Sequence, residues 1–203
     1  MKAVLLTILS IIVLVVLGAA AFVYFGVFNV AASQKDSAFV YSVLQTARIR
    51  SIKVHAAGIE VPGGYNTESR IIGAAGHFVA HCATCHGAPG TKPGDFAKGM
   101  NPRPPDLTHV RDRYTPAGLF WIIKNGIKMT GMPSMADDGD PMLWSTVGLL
   151  EQLPSMTDEE FNDLWMEAQA QKGEGHGGME GMGGMGGVDT HGAGGSDGQS
   201  PTK

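Results

Sequence analysis

The chain has 203 residues, of which 43% are hydrophobic, and a formal net charge of -4. That length suits one modest domain with appendages rather than two full domains, and the mildly acidic balance argues against a nucleic-acid-binding protein. Its 2 cysteines are too few for a four-cysteine zinc site.

An apolar run without a charged residue extends from Ala3 to Val30, directly after Lys2. At about 1.5 Å per residue it is long enough to cross a hydrocarbon core of about 30 Å, and it exceeds the apolar stretch of about 7–15 residues in a secretory signal peptide. We therefore predict that residues 1–30 are an uncleaved transmembrane signal anchor, with cleavage near Val30-Ala31-Ala32 as the alternative. Lys2 favours a cytoplasmic N-terminus, so the remaining chain is expected on the periplasmic side of a bacterial membrane.

Residues 31–69 are expected to form a linker that contains one helix, from about Ser33 to Val54, capped by Asp36 or Ser37. Its apolar residues recur at helical spacing: Val40, Val43, Leu44 and Ala47. Its basic residues crowd the end, where positive charge suits the helix dipole: Arg48, Arg50 and Lys53. Two interpretations stay open, a helix on the membrane surface and a plain spacer that packs on the next domain.

The next helix is predicted from Ser69 to Cys82, and four of its residues share one face: Ile71, Ala75, Phe78 and Cys82. Small residues between 73 and 76 would let another helix approach closely. A loop rich in proline and glycine then extends from Gly87 to Leu107.

Three more helices follow this loop. One begins at Thr115-Pro116 and ends at Asn125-Gly126. The next is expected to begin at Asp140-Pro141 in the same way and to stop before Pro154. The last begins with a capping box of Thr157 and Glu160. Residues 70–166 are therefore predicted to form an all-α domain.

The helix that ends at Cys82 leads into the motif Cys82-Ala83-Thr84-Cys85-His86. Cys-x-x-Cys-His is the attachment signature of a c-type haem, because two thiols at this spacing each form a thioether to one vinyl group of the porphyrin. The adjacent His86 is then held beneath the iron as its proximal ligand. A thioredoxin-like redox pair, half of a zinc site and a short-loop disulfide are less consistent with the surrounding sequence.

A haem that transfers electrons needs a second axial ligand, and a methionine thioether raises the reduction potential of the iron. Met132 is the first candidate because it stands between Gly131 and Pro133, where the backbone can approach the porphyrin and is then held rigid. Met129 is the next candidate, and Met135 is expected to be a packing residue. Three histidines are poor alternatives, since a helix cannot turn the first two toward the opposite face of the iron: His77, His81 and His55.

These motifs resemble class I cytochrome c, and most closely the membrane-anchored bacterial monohaem forms and the cytochrome domains of cbb-type oxidase haem subunits. The resemblance extends from Arg70 to about Pro154 and rests on the following residues: Phe78, Cys82-x-x-Cys85-His86-Gly87, Pro104-Pro105-Asp106-Leu107, Lys124 to Pro133, and Leu143-Trp144.

The resemblance implies the class I fold, with a haem ligated by His86 and Met132. It implies that the carbonyl of Pro105 accepts a hydrogen bond from the proximal imidazole and fixes its tautomer. Trp144 is expected to pack beside the porphyrin. Leu149 departs from the pattern, because the last helix of the family commonly carries an aromatic residue against the first helix at this position.

Residues 167–203 are glycine-rich and are expected to be disordered. This tail carries methionines and histidines that suit copper: His176, Met179, Met182, Met185 and His191. A solvated low-complexity tail without any metal is the alternative that we favour from composition alone.

The sequence thus predicts a membrane-tethered periplasmic electron carrier with one covalent haem c, which is not an enzyme by itself. Its expected donor is a quinol-oxidising complex or a dehydrogenase, and its expected acceptor is an oxidase or a reductase. Two alternatives remain: a haem subunit of a larger membrane oxidoreductase complex, and a haem peroxidase or ligand sensor with an open iron site.

Overall fold

The computed structural model describes residues 1–174, and the regular structure within that range is helical apart from one isolated bridge between Ala88 and Thr91. The all-α prediction is confirmed. The helices in chain order are α1 (Lys2–Tyr24), α2 (Ala38–Ala56), α3 (Glu68–His81), the short α4 (Ala83–His86), α5 (Pro116–Asn125), α6 (Asp140–Gln152) and α7 (Asp158–Glu174). Four short 3-10 segments join them: Asp95–Gly99, Leu107–Asp112, Ala136–Asp138 and Leu153–Ser155.

Helix α1 is long and apolar enough to cross a membrane, and none of its residues is buried against the rest of the chain. It ends at Tyr24, earlier than the apolar run that ends at Val30. Gly26 lies just after the helix with a φ of 63°, and a glycine in this left-handed region ends a helix at low steric cost. Helix α1 therefore fits a single-pass anchor.

Helix α2 begins at Ala38, later than predicted, and the hydroxyl of Ser37 caps it by accepting from the backbone N–H of Val40 at 3.3 Å. Its buried residues are Ile52 and Ala56. The apolar residues that recur at helical spacing do lie on a helix but are largely exposed, as the 51% exposure of both Val43 and Leu44 illustrates. Periodicity identified the helix but not the side that packs, because the partner surface comes from α5, far along the chain.

The core of the domain forms where α3 packs against α6 and α7. Ala74 and Ala75 are completely buried at the centre of α3, and a Cβ at Gly76 would lie 3.6 Å from the Cβ of Ala168 in α7. The small residues of α3 therefore allow the close helix approach that the sequence predicts. The other completely buried side chains include Phe78, Leu143, Val147 and Leu149.

Helix α7 supplies an aromatic partner for α3. The ring of Phe161 meets the ring of Phe78 edge to face, with centroids 5.8 Å apart, which is a favoured aromatic geometry. Leu149, where an aromatic residue is common, is completely buried in α6. The contact that Leu149 lacks is thus made by Phe161, and α7 continues to Glu174, past the expected domain limit at residue 166.

Two helix starts follow their sequence signals. Thr115 caps α5 by accepting from Gly118 N at 3.2 Å, with Pro116 at the start of the helix. Thr157 and Glu160 form the predicted capping box, since each accepts a hydrogen bond from the backbone N–H of the other. The hydrogen bonds to the Glu160 carboxylate lower its pKa.

The predicted cap of α6 is wrong in one respect. Asp140 makes no capping hydrogen bond, and Gly139 occupies the cap position instead. The carboxylate of Asp140 accepts from Lys124 Nζ at 2.6 Å, so this side chain ties α6 to the end of α5.

Residues 126–135, which we call the methionine loop, follow α5 directly. Gly126 ends α5 with a φ of 65°, and a Cβ at this position would lie 2.6 Å from the carbonyl carbon of Pro133. The loop also closes through hydrogen bonds from Ile127 N to Met132 O at 3.2 Å and from Met135 N to Ile123 O at 3.1 Å. It is therefore fixed closely against the end of α5.

The predicted disordered tail began at residue 167, and this boundary is wrong, since residues 167–174 are the last part of α7 and Ala168 is 8% exposed. The rest of the tail, with its predicted copper ligands, lies outside the described residues.

Candidate functional site

A single turn holds the two thiols and the imidazole. Helix α3 ends at His81, and the backbone N–H of His86 donates to the carbonyl of Cys82 at 3.0 Å across the short helix α4. Gly87 ends this turn with a φ of 76°, where a Cβ would lie 2.7 Å from Thr91 O. Only glycine fits at this position without displacing the backbone. The shape of the turn therefore explains why a glycine follows His86.

His86 is oriented by a backbone carbonyl from the proline-rich loop. Its Nδ1 lies 2.7 Å from Pro105 O. Because a carbonyl only accepts, Nδ1 carries the hydrogen and Nε2 keeps its lone pair. Burial lowers the pKa of His86, and the hydrogen bond to Pro105 opposes that effect only in part. The imidazole is therefore held neutral, which is the form that ligates a metal.

The thiol of Cys82 lies in a largely apolar environment. Burial raises its pKa to about 11, and the neighbouring Cys85 and Asp138 add to the shift. At neutral pH this thiol is protonated, whereas redox-active cysteines have a lowered pKa. The two cysteines are not bridged to each other.

The thiols and His86 open onto one cavity of about 250 Å³, which we call the central cavity. The same cavity is lined by Met132 and by Pro105, so residues from three separate stretches of the chain meet there. Much of the remaining wall is apolar: Leu107, Val110, Leu119, Ile122, Ile123 and Leu150. An apolar slot with two thiols, a neutral imidazole and a thioether matches the donor set of a covalently held haem.

Three methionines reach the central cavity: Met100, Met132 and Met135. Met132 is fixed by two hydrogen bonds within the methionine loop, because Thr130 Oγ1 accepts from its N–H at 3.1 Å and its carbonyl accepts from Ile127. Met135 is held by its N–H, which donates to Ile123 O in α5 at 3.1 Å. Met129, the second candidate from the sequence, does not line this cavity. It has a φ of 61°, and its side chain is 83% exposed.

Trp144 is not among the residues that line the central cavity. Its ring stacks on Phe120 with centroids 4.2 Å apart and lies 5.6 Å from the ring of Tyr65. The structure thus places Trp144 in the aromatic core between α5 and α6, and does not bring it together with the other site residues.

The three histidines considered as alternative ligands have different surroundings. Nε2 of His77 lies 3.0 Å from a carboxylate oxygen of Asp138, and the ring of His55 packs on Trp121. His81 stands beside His77 at a centroid distance of 4.7 Å and touches the rim of the central cavity.

Several residues of the cavity wall were missed from the sequence: Tyr41, Arg48, Met100, Arg113 and Tyr114. Arg48 was interpreted through the helix dipole and a possible membrane-surface contact, and Met100 stands in a stretch without any periodicity. A cation about three turns into a helix that precedes the domain gives no local signal of its target, because that target is defined by tertiary packing.

The helical unit and the donor set of its cavity define a c-type cytochrome domain. Residues 73–145, which are 73 of the 203 residues, match the family model described as cytochrome C oxidase, cbb3-type, subunit III. This part of the chain is a cytochrome c domain similar to that of the oxidase subunit, which implies a covalent haem c and a role in electron transport. Comparisons with curated proteins and with solved structures give no match.

Proposed function

We propose that this protein is a membrane-tethered periplasmic carrier of single electrons, with one haem c held by Cys82, Cys85, His86 and Met132. The observation that carries the proposal is the central cavity, since one wall bears the thiols and the imidazole and a fixed loop brings a thioether to the same space. The expected donor is a quinol-oxidising complex or a dehydrogenase, and the expected acceptor is an oxidase or a reductase.

Attachment requires no external oxidant. Each thiol adds across one vinyl group, so that sulfur bonds to one vinyl carbon and the thiol hydrogen goes to the other. When bound, the haem iron supplies a one-electron Fe(III)/Fe(II) couple. The lone pair on Nε2 of His86 serves as the proximal ligand, and Pro105 holds that ring in the required tautomer.

The thioether of Met132 is the proposed distal ligand. A soft sulfur favours Fe(II) and raises the reduction potential, and the hydrogen bonds of the methionine loop keep it in place. One electron arrives from the donor and one leaves to the acceptor, without bond changes in any substrate. Ligation by both His86 and Met132 would leave neither oxygen nor peroxide an open site on the iron.

The anchor supports this role through local concentration. A helix that fits a membrane span lies before the domain and is joined to it by residues 25–67, which include α2, so the carrier would meet its partners near the membrane rather than throughout a compartment. Tethering raises the effective concentration of the haem domain near partners in the same membrane, without any additional contact between the proteins. A weak, short-lived contact with each redox partner is then sufficient.

The experiment is a comparison of Met132→Ala with wild-type full-length protein purified from membranes. We expect the wild-type ferric spectrum to contain a methionine–iron charge-transfer band and Met132→Ala to lose it, while its ferrous form gains carbon monoxide binding. Met129→Ala is the matched control, because that side chain is exposed and lies outside the central cavity.

A wild-type protein that binds carbon monoxide freely contradicts the carrier and favours the peroxidase or sensor. If Met135→Ala or Met100→Ala loses the band while Met132→Ala keeps it, the electron-carrier role stands but the assignment of the distal ligand is wrong.

A subunit role is the second candidate, and the exposed side of α2 favours it. Four large apolar side chains of this helix that do not line the central cavity are half exposed or more: Phe39 at 77%, Val43 at 51%, Leu44 at 51% and Val54 at 70%. Exposed apolar residues that cluster on one element commonly mark a contact with a partner or a membrane. Co-purification of a stoichiometric oxidoreductase after mild detergent extraction supports this candidate, and a monodisperse single chain counts against it.

A further inference from the structure

Arg48 is a half-buried cation on α2, and one nitrogen of its guanidinium lacks a partner in the protein part of the site. Within residues 1–174, its Nε is shielded from solvent and has no hydrogen-bond partner. The same side chain lines the central cavity. A buried guanidinium nitrogen without a partner is unfavourable. Gln45 Oε1, three residues earlier on α2, is likewise buried without a partner, but only Arg48 of the two lines the central cavity, where an acceptor that enters the cavity would satisfy its Nε.

Helix α2, which carries Arg48, is attached to the cytochrome c domain by several contacts. Ile52 is 2% exposed, and one of its methyl carbons would lie 3.8 Å from a Cβ at Gly118 of α5. His55 packs on Trp121 at a centroid distance of 5.6 Å. Before the helix, the amide of Asn101 donates to Gln34 O at 3.0 Å.

Helix α2 also covers the approach to the methionine loop. A second cleft, of about 340 Å³, lies between α2 and residues 126–130, and Arg48 and Tyr41 line both this cleft and the central cavity. Helix α2 lies wholly before residue 73, where the family match begins. This wall of the cavity is therefore an addition of this chain to the matched segment.

The acceptor that fits Arg48 is a carboxylate. Haem carries two propionates on the edge opposite its vinyl groups, and a guanidinium binds a carboxylate with two parallel hydrogen bonds. Other charged or titratable groups line the same cavity: Arg103, Asp106, His109, Arg113 and Tyr114. The Asp106 carboxylate accepts from Thr108, and both Arg103 and Arg113 are exposed to water. Arg48 is thus the cation of this wall whose buried nitrogen needs the propionate.

We propose that Arg48 binds a haem propionate, so that α2 is a wall of the haem pocket and the tether is coupled to the cofactor through a charged contact. This inference rests on the proposed function, since it requires a haem in the central cavity. It assigns α2 a role different from both the membrane-surface helix and the plain spacer. A fixed cation beside the haem disfavours the oxidised state and thereby raises the reduction potential.

The test compares the midpoint potentials of the full-length holoproteins of wild type, Arg48→Gln and Arg50→Gln. Arg50 lies two positions away on the same helix and is exposed, so it is the matched control. We expect Arg48→Gln to shift the Fe(III)/Fe(II) equilibrium toward Fe(III) by about tenfold, which is about 59 mV for one electron. Arg50→Gln is expected to stay within about twofold of wild type, because water screens an exposed charge.

A second readout follows α2 itself. Amide hydrogen exchange of residues 38–56 should be faster in Arg48→Gln than in Arg50→Gln, because the contact that ties the helix to the haem is lost. Equal potentials and equal exchange in the two variants overturn the proposal while leaving the haem and the electron-carrier role intact. A wild-type chain without covalent haem instead overturns the proposed function.

If Arg48→Gln does not fold, the reduced wild-type holoprotein decides the question by nuclear magnetic resonance. We expect the Nε–H of Arg48 to exchange slowly with water. We also expect the ring current of the porphyrin to change the chemical shift of this hydrogen. Fast exchange of that hydrogen, equal to that of Arg50, overturns the proposal.

Discussion

Replacing Gly126 by alanine tests whether the close fit between α5 and the methionine loop holds the distal thioether. Gly126 has a φ of 65°, and an added Cβ would stand 2.6 Å from both the carbonyl carbon and the oxygen of Pro133 and 2.7 Å from Met132 O. Ordinary contact begins at 3.4 Å, so the loop backbone must retreat by about 0.8 Å. The atoms in the way are backbone atoms, which cannot simply rotate aside.

The expected energetic cost of Gly126→Ala has two parts. The backbone of Gly126, with φ 65° and ψ −172°, lies in a region that is essentially restricted to glycine and costs another residue about 1–3 kcal/mol, and the displaced loop adds strain. A cost of about 1–2 kcal/mol already changes an equilibrium constant by a factor of about 5–30. If the backbone cost alone weakens the Met132–iron bond, the fraction of molecules in which Met132 is bound to the iron falls markedly.

The assay is the intensity of the methionine–iron charge-transfer band of the ferric protein, together with urea unfolding. Gly73→Ala is the control, because an added Cβ there meets nothing within 4 Å and alanine in a helix is favoured over glycine by about 0.5–1 kcal/mol. We expect Gly126→Ala to lose band intensity and stability, and Gly73→Ala to keep the band and gain stability. An undiminished band and unchanged stability in Gly126→Ala refute the reasoning.

Two further predictions concern packing and pH. Phe161→Ala removes the edge-to-face partner of Phe78 and should lower the free energy of unfolding by about 3–5 kcal/mol. Met166→Ala, at a 51% exposed position of the same helix, is the control and should have little effect. Equal losses of the two variants in urea unfolding contradict a core role for α7. Burial, followed by the hydrogen bond from Tyr65 Oη to Glu151 Oε2 at 2.5 Å, raises the pKa of Tyr65 from 10.0 to about 12. Because Tyr65 binds its proton more tightly in the folded state than in the unfolded state, this group contributes fully to stability below pH 10. That contribution is lost as the pH rises toward 12. Tyr65→Phe should therefore have a flatter loss of stability over that range in pH-dependent urea unfolding, and an unchanged slope contradicts the assignment.

Features set by local chemistry were predictable from the sequence. The caps at Ser37, Thr115 and Thr157 follow from hydroxyl groups that accept backbone N–H bonds within three residues. The end of α5 follows from a glycine with positive φ. The motif at Cys82 was equally local, because its spacing is dictated by the haem rather than by the fold.

Features set by long-range packing were not predictable. The buried side of α2 is defined by α5, and the stacking of Trp144 on Phe120 depends on how α5 and α6 meet. Met100 lines the cavity although its loop shows no periodic pattern of apolar residues. Met129 points to solvent because of its positive φ, which no neighbouring residue type predicts. Asp140 followed the pattern of a cap and instead pairs with Lys124, because an ion pair across two helices was available to it.

The most direct test of the whole account is the mass of the full-length protein from the membrane fraction, read together with its pyridine haemochrome spectrum. We predict a mass greater than that of the polypeptide by a single haem, a spectrum typical of two thioether bonds, and loss of both in Cys82→Ser/Cys85→Ser. A mass equal to that of the bare polypeptide would contradict the central claim.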